Sequence, residues 1–161
     1  MRGGALPPAL LAVALGLALA FAPRRTLMFT LPLFVIVAGL ASLWRPPTTW
    51  TDAIFVGCWV TVLACATSVH LPNPIGPRGA IGLSVLAGFW AGAVIAAAGS
   101  ASDLVKALPW VMVGAPGTWI VARGWPVVVK VAAGWLIAVA ILVATVPATT
   151  QTPGYVADHM E

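Results

Sequence analysis

The chain has 161 residues, of which 61% are hydrophobic and 7% charged, and its formal net charge is +4. A soluble domain carries roughly 25% charged residues because its surface faces water, so this composition excludes a soluble globular fold and predicts a surface that faces lipid. The basic residues stand singly or as one pair between apolar segments, which excludes a nucleic-acid-binding surface and is typical of loops that set membrane topology.

Six apolar segments follow one another, separated by short clusters of polar residues, Pro and Gly. They cover residues 6–22, 27–44, 53–71, 79–99, 104–122 and 127–146. A hydrocarbon core about 30 Å thick needs about 20 helical residues per crossing. The segments are continuously apolar and not alternating, so they predict helices and not barrel strands. We therefore predict an all-α polytopic membrane bundle of about six transmembrane helices, with one domain over residues 1–147 and a polar tail over 148–161.

The first segment is predicted to be a retained helix and not a cleaved signal peptide. Pro23 follows its small-residue end directly and makes a poor cleavage context. Pro7 and Pro8 fall in the first helical turn, where missing amide donors cost little.

The loop charges predict the orientation of the bundle. With six crossings, one side of the membrane receives four arginines: Arg24, Arg25, Arg78 and Arg123. The other side receives three basic residues: Arg2, Arg45 and Lys106. The first side is favoured as cytoplasmic, which places both termini outside, and Lys130 adds to it by snorkelling. If the fifth segment does not cross, the C-terminus moves to the cytoplasm.

Small residues recur every four positions in the fourth segment. They are Ala80, Ser84, Gly88, Gly92, Ala96 and Ser100. On a helix they form one nearly continuous stripe that lets a second backbone approach closely, so we predict a helix-packing interface there. Its partner is another helix of the bundle or, as the alternative, another subunit. The first segment carries a shorter stripe at Ala12, Gly16 and Ala20.

The fifth segment is interrupted by Pro109 and by a glycine–proline cluster near its middle, which predicts a kinked, broken or re-entrant helix. Irregular backbone at this depth is tolerated only where it is buried in protein or lines a cavity. One interpretation is a kink or hairpin packed against a neighbour. The other is a solute site like those of broken transporter helices, formed by Gly114, Ala115, Pro116, Gly117 and Thr118.

Residues for catalysis, cofactor binding or metal binding are not predicted. Cys58 and Cys65 lie seven positions apart, about 10 Å along a helix, which is too far for a disulfide, and we expect them to be packing residues. Asp52 and Asp103 stand at helix starts, where carboxylates cap free amides. His70 has no nearby companion for metal or haem ligation. We also expect the tail residues Asp158, His159 and Glu161 to be solvated and not metal ligands.

The function expected from these features is that of a non-catalytic accessory subunit of a larger membrane complex. The alternative is a small-solute or ion transporter or channel component that uses residues 114–117. The expected partners are the lipid bilayer and other membrane subunits or further copies of the chain, without cofactor or nucleic acid. Compact loops and a high Ala and Gly content favour a bacterial inner membrane.

Overall fold

The computed structural model describes residues 6–72 and 75–149, which are helical apart from short connections and contain no strand. The helices are α1 (Leu6–Leu19), α2 (Arg24–Ser42), α3 (Thr51–Ser68), α4 (Pro77–Ala98), α5 (Ala101–Ala107), α6 (Gly114–Ala122) and α7 (Pro126–Thr149). Two 3-10 segments complete them: Thr48–Trp50 leads into α3, and Leu108–Val113 joins α5 to α6. The predicted all-α fold class is confirmed.

Five helical stretches among the described residues are long and apolar enough to cross a membrane. They are Arg25–Ser42, Thr48–Ser68, Pro77–Ala98, Val105–Ala122 and Pro126–Thr145. The first helix is shorter, because its 14 residues rise only about 21 Å. The chain therefore has the architecture of a multi-pass membrane bundle with five candidate spans and one shorter apolar helix.

The short helix α1 is the buried centre of this bundle. Ten of its 14 residues are buried, and Leu11, Leu15 and Leu19 are 0% exposed. It contacts α3, α4, α7 and the whole path from α5 to α6, while Leu27 and Leu31 of α2 share a small cavity with it. A helix that is apolar on every face has no side suited to water and packs inside a larger structure.

The fifth span follows one helical path with a change of helix type in its middle, and no hairpin reverses it. Residues Ala107, Val113 and Gly114, at the junctions of the 3-10 segment Leu108–Val113, all have right-handed helical φ and ψ. Pro109 and Pro116 lack the amide hydrogens that an α-helix would direct at the carbonyls four residues earlier. The tighter 3-10 winding is a common local response to such a loss. The re-entrant alternative is therefore not what this segment adopts.

The last two spans are joined by a reversal of three residues. Gly124 lies there at φ 82°, a left-handed conformation that residues with a side chain rarely adopt. Arg123 places its guanidinium 3.9 Å from the ring centroid of Trp119. At its other end α7 continues to Thr149, so the first two residues of the predicted tail 148–161 are helical, and the rest lies outside the described residues.

Candidate functional site

The small-residue stripe of α4 lies against α2. A Cβ atom at Gly88 would stand 2.8 Å from the carbonyl oxygen of Phe34. A Cβ atom at Gly92 would overlap the carbonyl oxygen of Ala38 and stand 2.6 Å from the Cβ of Ala41. Two backbones can approach this closely only where one of them has no side chain, so α2 and α4 meet in direct backbone contact.

The other stripe residues are arranged unequally. Ala80 and Ser84 are buried, and Ala96 is half-buried. Ser100 is exposed and lies beyond the end of α4, where it contributes to the start of α5. The structure therefore brings Gly88 and Gly92 to a helix of the same chain and leaves Ser100 out of that contact.

A second close crossing joins α1 to the fifth span. A Cβ atom at Gly16 would stand 2.7 Å from the carbonyl oxygen of Val111 and 2.9 Å from the amide nitrogen of Gly114. One turn further along α1, the Cβ of Ala20 lies 3.0 Å from the position that a Cβ on Gly117 would occupy. The short stripe of the first segment and the glycines of the fifth thus pack on each other.

The five residues considered for a solute site divide between two surfaces. Gly114 and Gly117 are buried against α1, Ala115 and Pro116 are exposed, and Thr118 is half-buried. The Thr118 hydroxyl donates a hydrogen bond of 2.8 Å to the carbonyl of Ala115. The cavity beside Gly114 measures about 40 Å³, close to the roughly 30 Å³ that one water occupies in the liquid.

Polar side chains in the interior are satisfied within their own helices. The hydroxyls of Thr30, Thr61 and Ser84 donate to the carbonyls four residues earlier, over 3.0, 2.8 and 2.9 Å. Among the described residues, every buried side-chain nitrogen or oxygen has a hydrogen-bond partner. These hydroxyls are therefore engaged within their own helices and not directed at a shared site.

The cysteines and the acidic residues do not converge. Cys58 and Cys65 are buried free thiols in α3, and Asp52 lies in the first turn of that helix. Over residues 6–72 and 75–149 there is no group of three or more His, Cys, Asp or Glu placed to hold a metal. Asp158, His159 and Glu161 of the tail lie outside the described residues.

The start of α5 is capped by Asp103, whose carboxylate turns back to the amide of Ser100 and so forms one half of a capping box. The Asp103 carboxylate accepts hydrogen bonds from the amide of Ser100 over 3.0 Å and from its hydroxyl over 2.9 Å. These bonds favour the charged form and lower the pKa of Asp103, and Lys106, whose ammonium lies 3.8 Å away, adds to the effect. This matches the capping role expected for Asp103.

Four aromatic rings form a cluster between α2, α3 and α4. Trp44 lies 6.1 Å from both Trp50 and Phe89, measured between ring centroids, and Phe89 lies 5.2 Å from Trp90. The ring of Trp90 covers Gly57 of α3 so closely that a Cβ there would stand 2.5 Å from a ring carbon. Trp44 and Trp50, which flank the connection between α2 and α3, are thus linked through Phe89 and Trp90 to the packing of α3 on α4.

The described residues also form a large cavity that sequence reasoning missed. It lies between α1, the wall formed by α5 with its 3-10 continuation, and α7, and its volume is about 530 Å³. We call it the lateral groove; its lining residues are Leu6, Ala9, Leu10, Val13, Leu17, Lys106, Trp110, Val113, Ala132, Trp135 and Leu136. Trp135 is 63% exposed beside this groove. Sequence reasoning missed the groove because its lining comes from three segments that are distant in sequence, and the space lies where these segments do not contact one another.

Comparisons with protein-family models, with curated proteins and with solved structures found no match for this chain.

Proposed function

We propose that the chain is a non-catalytic accessory subunit of a larger membrane complex. The observation that supports this most directly is the state of the bundle interior. Its buried hydroxyls are bonded to their own helices, and four of its buried glycines lie in close contacts between backbones: Gly16, Gly88, Gly92 and Gly114. Chemistry within a membrane requires convergent polar groups, whereas a packing subunit requires none.

The alternative is a small-solute or ion transporter component that uses residues 114–117, and it has less support. Backbone groups bind a solute only where they face a cavity. Gly114 and Gly117 face α1, and the space beside Gly114 is about the size of one water. A transport role would require α6 to move away from α1.

The distribution of charge supports an orientation in the proposed bacterial inner membrane. Because the connections are short, successive spans run in opposite directions. One side of the bundle then carries five basic residues and no acidic residue: Arg24, Arg25, Arg78, Arg123 and Lys130. On the other side the described residues include two basic and two acidic side chains: Arg45, Lys106, Asp52 and Asp103. The positive-inside rule assigns the first side to the cytoplasm.

Purification in mild detergent tests the proposed function. A stoichiometric protein partner that stays bound through size-exclusion chromatography is the expected result, and the purified chain alone should mediate no solute flux in liposomes. A homo-oligomer that drives flux without any partner would contradict the proposal. If flux is observed, a Gly117→Leu variant shows whether it depends on residues 114–117, because flux through that site should change in the variant.

A further inference from the structure

We propose that the lateral groove binds an anionic membrane lipid, with one acyl chain lying along α1 and the headgroup held by Lys106. This proposal concerns a lipid site and is independent of the proposed role as a subunit. It rests on the shape of the groove, on the chemistry of its lining and on the position of its one charged residue.

The groove is the place where α1 is not enclosed. Leu10 and Val13 are only half-buried, although the neighbouring Leu11 and Ala12 are 0% exposed. The spans α6 and α7 contact each other near their connection, whereas the groove lies between α7 and the earlier half of the fifth span. Lipid therefore has a lateral route to the central helix at this position.

The groove is large enough for a lipid acyl chain. Its volume of about 530 Å³ lies within the range of about 300–1,000 Å³ typical of small-molecule sites. An extended hydrocarbon chain fits such a space against the apolar lining.

Lys106 supplies the complementary charge at one end of the groove. It is the one charged residue of the lining, its side chain is 68% exposed, and it stands at the second residue of the span Val105–Ala122, where headgroups lie. Its ammonium has three donor hydrogens, and the 3.8 Å to Asp103 is too long for a hydrogen bond. Lys106 and Asp103 form an ion pair near the surface, and such pairs contribute little energy, so the ammonium can also contact a lipid phosphate.

Two indole rings border the same space. Trp110 and Trp135 both line the groove and are 53% and 63% exposed. Trp110 lies four residues after Lys106, towards the headgroups, where indoles are favoured, whereas Trp135 is the tenth residue of the 20-residue span Pro126–Thr145 and borders the hydrocarbon part of the groove. They also provide a spectroscopic probe inside the proposed site.

Quenching of tryptophan fluorescence by brominated lipids tests the proposal on the full chain in liposomes. The fluorescence of the two groove tryptophans is obtained as the difference between the wild-type chain and a Trp110→Phe, Trp135→Phe variant. Brominated phosphatidylglycerol should quench this fluorescence at about fivefold lower mole fraction than brominated phosphatidylcholine. A preference of about fivefold is what one lysine near an anionic lipid surface supplies. In Lys106→Gln this preference should fall to about onefold. Arg45→Gln, which removes an exposed cation outside the groove on the same side, should keep it.

Equal quenching by the two lipids in the wild-type chain would overturn the proposal, as would an undiminished preference in Lys106→Gln. If neither lipid quenches the tryptophan fluorescence until a copurified protein is removed, that protein occupies the groove and the proposal is wrong. Should the double tryptophan variant not fold, native mass spectrometry supplies the same comparison without it. Phosphatidylglycerol should then stay bound to the wild-type and Arg45→Gln chains and be lost from Lys106→Gln, and retention by all three would refute the site.

Discussion

Replacing Gly92 by alanine should separate α2 from α4. The added Cβ would overlap the carbonyl oxygen of Ala38 and lie 2.6 Å from the Cβ of Ala41, whereas carbon atoms at contact are about 3.5–4.0 Å apart. The helices must therefore move apart by about 1 Å, because the nearest obstacles are backbone and a Cβ and not a flexible side-chain end. A gap of this size forfeits up to about half of each dispersion contact along the interface. Overpacking of this kind costs about 1–3 kcal/mol.

Gly82→Ala is the matched control, since it lies on the same helix and its added Cβ meets no atom within 4 Å. Any gain in helix propensity is similar in both variants and cancels in the comparison. Reversible unfolding in mixed detergent micelles should therefore show Gly92→Ala less stable than Gly82→Ala by about 1–3 kcal/mol, near the upper end because backbone is blocked. Equal free energies of unfolding for the two variants would refute the direct backbone contact between α2 and α4.

Three further predictions follow from the other close contacts. Gly16→Ala should lower the free energy of unfolding by about 1–3 kcal/mol relative to the same control, since its Cβ would meet backbone of the fifth span; unchanged stability would contradict that crossing. Gly57→Ala should destabilise the wild-type chain but not a Trp90→Ala background, and a double-mutant cycle with no coupling would refute the ring contact. By NMR titration the pKa of Asp103 should lie below the usual value of about 3.9 and should rise in Ser100→Ala; an unchanged pKa in that variant would exclude the hydroxyl bond. The contribution of Asp103 to stability should be complete above about pH 3.9, its usual pKa, and should be lost as the pH falls through the lowered pKa.

The architecture could be predicted from the sequence because it depends on composition and on periodicity. Continuous apolar runs predicted the helices to within a few residues, and the capping role of Asp103 followed from its position at a helix start. The end of α1 was placed too late, at residue 22 in place of Leu19, because the turn into α2 is itself apolar. An apolar turn carries no polar signal to mark it.

The partners of the glycines could not be predicted from the sequence. Gly16 and Gly114 each stand in a recognisable pattern, but a glycine that admits a neighbouring helix looks the same in sequence as a glycine that admits a solute. Only the fold shows that these two residues meet each other. The lateral groove is beyond sequence reasoning for a related reason, since it exists where α1 and α7 fail to close and depends on no local motif.

The burial of α1 within the bundle, except along the lateral groove, is the central claim, and photolabelling of the wild-type chain in liposomes tests it most directly. A small lipid-soluble diazirine inserts into side chains that face hydrocarbon, and mass spectrometry locates the labelled residues. Ile36 and Leu40 of α2, which are 58% and 65% exposed, should be labelled, while Leu11 and Leu15 of α1, at 0%, should not. Comparable labelling of all four residues would contradict the enclosed position of α1.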